Sequence, residues 1–142
     1  MELTSRKPCI QPFQQPVNQI QKPCIGNKAE ETKTEEQKSD LVIRATIQIV
    51  AVAFELDPDA LLKPQRGSAK IARSRQVSCY LLHTSLSLPL VEIGKIFGKD
   101  RTTIGHACRL VEDLRDEPSF DDRIVELEKT IRLVKDLASF GL

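Results

Sequence analysis

Three residues, Gly98-Lys99-Asp100, separate the two-turn helical stretch Leu90–Phe97 from a second periodic stretch that begins at Arg101. So short a junction predicts a tight turn between helices. Gly98 can take the backbone angles such a turn demands. Asp100 is a good N-cap, since its carboxylate can accept from the free N–H of Thr102 or Thr103. Beyond it Ile104, Ala107, Cys108, Val111 and Leu114 recur at helical spacing, which predicts one buried face. The opposite face carries Arg101, Thr102, Gly105, His106 and Arg109, and Gly105, lacking a side chain, permits close approach. A short helix followed by an exposed first turn of hydroxyls and a guanidinium reads as a helix-turn-helix.

The net charge is only +1, but its distribution is uneven. From Lys63 to Arg109 nine basic residues (Lys63, Arg66, Lys70, Arg73, Arg75, Lys95, Lys99, Arg101, Arg109) face only Glu92 and Asp100, a net of +7. From Glu112 to Glu128 eight acids face only Arg115 and Arg123, a net of −6. An oriented phosphate-binding surface needs such a separation, whereas ordinary solvated faces would scatter the signs.

The four cysteines have no CxxC spacing, and His83 and His106 complete no finger pattern, so neither zinc nor a disulfide is expected. Cys79 and Cys108 fall on apolar helix faces and are expected as small buried hydrophobes. No signal peptide opens the chain, so reduced thiols in a cytoplasm are expected. There is no G-x-x-x-x-G-K-[ST] loop, no Ser-His-Asp set and no paired-carboxylate constellation. The expectation is a protein without cofactor, metal or nucleotide, and not an enzyme.

The 142 residues allow one domain with a modest core. Residues 1–39 read as a disordered tail, Pro- and Gln-rich and then charged, with Lys7-Pro8-Cys9-Ile10 repeated as Lys22-Pro23-Cys24-Ile25. The domain is expected over residues 40–140, opening with Asp40 as an N-cap. Leu41, Ala45, Ile49, Val52, Ala53 and Leu56 form the expected stripe of its first helix, and Arg44, Gln48 and Glu55 argue against a membrane span. Pro58–Leu62 predicts one short turn of helix, Lys63–Ala69 a basic loop, and Ala69–His83 a longer helix. Pro118 breaks the chain, and a last amphipathic helix from about Phe120 carries Ile124, Leu127, Ile131, Val134 and Leu137 inward. No stretch alternates as a strand would, so the domain is all-α.

Gly98-Lys99-Asp100-Arg101-Thr102-Thr103-Ile104-Gly105-His106-Ala107 resembles the hallmark G-G-R-D-H-T-T-V-x-H-A of the DNA-binding domain IV of the bacterial replication initiator DnaA. Ala72-Arg73-Ser74-Arg75-Gln76 is similar to that family's A-R-x-R-Q, and Glu92-Ile93-Gly94 to its E-I-G. The resemblance covers about Leu41 to Leu137. It implies a compact helical domain with a Trp-repressor-like helix-turn-helix, bound to short asymmetric DnaA boxes on double-stranded DNA. It implies that Asp100, Thr102 and Thr103 read bases, and that Arg75, Gln76 and His106 hold the phosphate backbone. Hydroxyls suit base edges and guanidinium and amide groups suit phosphate oxygens, which agrees with these roles.

Lys70, Lys99 and Arg109 are further expected backbone contacts, and Arg66 in the basic loop could enter an adjacent minor groove. Three departures stand out: Arg101 replaces a histidine, Gly105 replaces a larger residue, and the turn before Asp100 is one residue shorter. Arg101 could read a guanine through O6 and N7, or move to a phosphate. The expected protein is a monomeric, cytoplasmic, nucleoid-associated regulator of replication initiation or transcription, without the ATP-binding domain of a full initiator. The competing expectation is an interaction adaptor, in which the tail or the acidic C-terminal helix takes a protein partner.

Overall fold

A computed structural model describes residues 28–141 of the chain. The Pro- and Gln-rich stretch and its two repeats lie outside the described residues. Six helices follow in order: α1 (Lys28–Ala53), α2 (Pro58–Leu62), α3 (Ala69–Thr84), α4 (Leu90–Phe97), α5 (Arg101–Leu114) and α6 (Pro118–Ser139). Among the described residues there is no strand, as the missing alternation predicts.

The first helix departs from expectation at its start and at its buried face. Asp40 is not its N-cap but an interior residue, because α1 reaches back to Lys28. Helix α1 thus takes in residues 28–39, a stretch rich in Lys, Glu and Gln, which favour helix. Of the expected inward stripe, Leu41 is 57% exposed and Val52 is 74% exposed. The core instead takes Val42, Thr46, Ile47, Val50, Ala51 and Phe54. Apolar residues lie on several faces of this stretch, so periodicity offered more than one solution and packing selected one. Buried Thr46 donates its hydroxyl to the Val42 carbonyl at 2.8 Å, which satisfies the single polar side chain on that face.

Helix α1 ends without a glycine. Glu55 takes φ 53°, and the Leu56 N–H donates to the Ala51 carbonyl at 2.8 Å while the Glu55 N–H donates to Val52. That pair of bonds is a Schellman closure. Asp57 then caps α2, accepting from the Asp59 N–H at 3.0 Å, with Pro58 in the first turn where its missing N–H costs nothing.

Helix α3 is central: α1 and α5 pack on it, α4 packs on α5, and α6 packs on α1. Val50, Val77, Leu81, Ile93, Val111, Ile124 and Ile131 are fully buried where these helices meet. Helix α6 starts at Pro118, two residues before the expected Phe120, so Pro118 opens the helix as well as ending the turn before it. Leu137, expected inward, is 43% exposed, and Ala138 is buried in its place.

Part of the acidic segment has a structural partner. The Arg115 guanidinium donates to Asp121 at 2.5 Å, to Glu128 at 2.9 Å and to the Tyr80 hydroxyl at 2.9 Å. Burial works against the Arg115 charge, but these bonds and the Glu128 charge more than offset it and raise its pKa. One side chain thus ties α3, α6 and the end of α5 together. Among the described residues no helix is long and apolar enough to cross a membrane.

Candidate nucleic-acid interface

Two glycines shape the turn between α4 and α5. Gly98 takes φ 62° and ψ 39°, and both its N–H and that of Lys99 (2.9 Å) donate to the Gly94 carbonyl. This closure brings the chain back across Gly94. A Cβ there would lie 2.5 Å from the Lys99 carbonyl oxygen, so the position requires glycine. Asp100 then caps α5 as expected, its Oδ1 accepting from the Thr103 N–H at 2.7 Å. The Thr103 N–H, followed by the Thr103 hydroxyl, holds the Asp100 carboxyl below the usual carboxylate range.

Arg101, Thr102 and Thr103 are exposed at the start of α5, and His106 and Arg109 are exposed further along it. Thr102, His106 and Arg109 share one helical face by their spacing. Gly105 does not belong to that exposed face. It is half-buried toward α4, with Leu90 Cδ1 3.7 Å from where its Cβ would stand.

Between α3, the loop after α2 and the first turns of α5 lies a cleft of about 370 Å3. Lys63, Arg66, Arg75, Gln76, Lys99, Thr103 and His106 line it, over a floor that includes Cys79, Phe97, Ile104 and Ala107. The fold therefore brings six of the expected site residues (Arg66, Arg75, Gln76, Lys99, Thr103, His106) to one place. Asp100, Arg101, Thr102 and Arg109 do not line the cleft. Lys70 does not line it either: its Nζ stands 3.5 Å from the Glu55 carboxylate at the end of α1. Both partners of that pair are exposed, so it holds Lys70 only weakly.

Arg75, one of the expected phosphate contacts, is also engaged within the protein. Its Nε donates to the Leu61 carbonyl (2.8 Å) and its Nη1 to Gln65 (2.9 Å). Its Nη2 donates to Ala60 (2.8 Å) and to Lys63. A guanidinium has five N–H donors, so one on Nη1 is left over. Gln76 accepts from Arg73 through its Oε1 at 3.1 Å, which leaves the amide NH2 as its donor group.

Cys79 and Cys108 behave as small hydrophobes. Burial, with Cys108 adding to it, pushes the Cys79 thiol up to about 12. Burial, with Glu112 adding to it, also raises Cys108, and both thiols are free. Among the described residues no three His, Cys, Asp or Glu side chains cluster as a metal site would require.

Sequence reasoning missed Lys63 as an individual lining residue, having counted it only within the basic segment. It also missed the engagement of Arg75, which reaches carbonyls 10 to 15 positions away. The one available signal was the end of α2, whose last carbonyls need donors from somewhere.

The pattern of the bacterial dnaA protein helix-turn-helix matches residues 43–111. The chain is 34% identical over 98 residues to the chromosomal replication initiator protein DnaA of Lachnoclostridium phytofermentans, covering 68% of this chain and 21% of that protein. It is 35% identical over 95 residues to the DnaA of a Synechococcus species, covering 64% of this chain and 20% of the relative. It thus spans about a fifth of the length of these relatives. A solved structure described as the crystal structure of a DNA replication initiation factor matches at a TM-score of 0.65 and 27% identity, covering 72% of this chain and 32% of the other. Over residues 43 to 111 the chain is thus similar to the bacterial dnaA helix-turn-helix family.

Proposed function

We propose that the protein binds double-stranded DNA in a sequence-specific manner, at sites of the DnaA-box type, and acts on replication initiation or on transcription from such sites. The N-terminal turn of α5 enters the major groove, where Thr102, Thr103 and Arg101 face base edges. Asp100 keeps one carboxylate oxygen for an exocyclic amino group while the other caps the helix. His106, Gln76, Lys99 and Arg109 hold phosphates on either side, and the loop carrying Lys63 and Arg66 follows the adjacent backbone or minor groove. A single helix-turn-helix on an asymmetric site needs no second copy, so the bound species is a monomer. Its place of action is the nucleoid, and the binding step itself uses no nucleotide.

The observation that carries this reading is the placement of Thr103, His106, Lys99, Gln76 and Arg66 around one cleft at the start of an exposed helix-turn-helix. The test is a titration against a DnaA-box duplex, a scrambled duplex and a random pool at several salt concentrations. Four cations at the surface (Lys63, Arg66, Lys99, Arg109) predict a slope of log K against log salt of about −3 to −4. Box-selective binding supports the reading, and selection of a different sequence would move the role to other sites, with Arg101 the first residue to test. Absence of binding to all three, with no salt dependence, refutes it and brings the adaptor reading forward.

A further inference from the structure

The stretch Pro64–Gly67 has little to hold it. Among the described residues no backbone–backbone hydrogen bond reaches it, and all of its residues are exposed. It nevertheless carries Arg66 and follows directly on Lys63, two of the cations that rim the cleft. One side chain bridges this gap. Arg75, on α3, donates to the carbonyls of Ala60 and Leu61 in α2, to Lys63 at its end and to Gln65 inside the loop.

The chemistry of this arrangement is that of a C-terminal cap combined with a clasp. The last carbonyls of α2 have no intrahelical donor apart from the Lys63 N–H, which serves Asp59. A cation at a helix C-terminus is favoured by the aligned peptide dipoles as well as by the hydrogen bonds. The planar fork of a guanidinium can serve several carbonyls along one edge at once, which a lysine ammonium on its flexible stem cannot reproduce.

We infer that Arg75 is a positioning residue: it caps α2 and fixes the loop so that Lys63 and Arg66 are presented to DNA beside the first turn of α5. This rests on the DNA-binding reading above and changes what Arg75 does within it. Four of its five donors are committed before any nucleic acid arrives, and its main effect on binding runs through the loop rather than through its own charge.

The decisive comparison is Arg75→Lys with Arg75→Ala, alone and combined with Arg66→Ala, measured as box affinity and salt slope. A residue acting as a phosphate contact is largely rescued by lysine, and its loss adds to that of Arg66. A clasp is not rescued by lysine. Arg75→Lys then loses affinity to the same extent as Arg75→Ala. Arg66→Ala adds little in the Arg75→Lys background, although it weakens the wild type on its own. Rescue by lysine together with additive losses overturns the inference.

A second measurement needs no variant. In wild-type protein free in solution, the Arg75 Nε–H resonance should be protected from exchange and should move little when box DNA is added. Rapid exchange in the free protein, or a large shift on binding, overturns the clasp. Failure of wild type to bind any duplex would defeat the DNA-binding reading and with it the consequence for DNA, while this resonance still reports on the clasp itself.

Discussion

Alanine at two glycines, positions 94 and 105, should change stability in opposite directions. At Gly94 the added Cβ would sit 2.5 Å from the Lys99 carbonyl oxygen, and ordinary contact begins at 3.4 Å. The obstructing atom is backbone, so the turn itself must open, which pulls the Lys99 N–H away from the Gly94 carbonyl it now meets at 2.9 Å. Overpacking of this kind costs about 1–3 kcal/mol, and the weakened hydrogen bond about 1 kcal/mol more. The better helix propensity of alanine returns about 1 kcal/mol. The net expectation for Gly94→Ala is a loss of about 1–3 kcal/mol, or roughly 4–8 °C in Tm for each kcal/mol in a domain of this size. At Gly105 the nearest neighbour, Leu90 Cδ1, lies at 3.7 Å, an ordinary contact. There only the propensity gain remains, and Gly105→Ala should stabilise by about 0.5–1 kcal/mol. Urea and thermal unfolding followed by circular dichroism measure both. A Gly94→Ala protein as stable as wild type, or two variants that shift with the same sign, would refute the argument from the turn geometry. The Gly94 variant should also lose DNA affinity, because the turn sets the angle at which α5 leaves α4.

Three further outcomes follow from the site and the core. Thr102→Ala and Thr103→Val should each weaken binding to the preferred duplex by about 1–3 kcal/mol while leaving binding to scrambled DNA nearly intact; equal loss on every sequence would exclude base reading by these hydroxyls. The Asp100 carboxyl is held below its ordinary value of 3.8, so its stabilising effect is present above that value and is lost as pH falls through its lower folded value. Asp100→Asn should therefore flatten the acid limb of a stability–pH profile, and an unchanged limb would contradict the cap. Cys79 works in the other direction: its thiol is pushed from 9.0 to about 12, so the native state retains a proton that the unfolded chain releases, and stability declines as pH rises from about 9 toward 12. Cys79→Ala should lessen that alkaline decline, and rapid labelling of wild-type Cys79 by a thiol reagent near neutral pH would show that the floor of the cleft is open.

The helix-turn-helix was legible in the sequence because everything that builds it is local. Gly98, Asp100 and the spacing of Ile104, Cys108 and Val111 fix a turn, a cap and a buried face within a dozen or so residues, and α4 and α5 begin and end where those residues place them. The charge separation was equally readable, since counting needs no coordinates. The start of α1 was misread because Asp40 has the chemistry of an N-cap, while the charged stretch before it is itself a good helix former.

Other features were decided by contacts between distant segments. Which face of α1 is buried depended on the arrival of α3 and α6, for a stretch with apolar residues on several sides has no single preferred side until a partner covers one. Arg115 looked like one of two bases in an acidic run and became the junction of Asp121, Glu128 and Tyr80. Arg75, expected as a phosphate contact, proved also to be bound to α2 and the loop after it. Local sequence thus determined where the helices and the turn between α4 and α5 lie, because capping, backbone freedom and periodicity act within a few residues. The tertiary structure decided what each long cationic side chain grips, because a guanidinium reaches whichever acceptors folding brings near it.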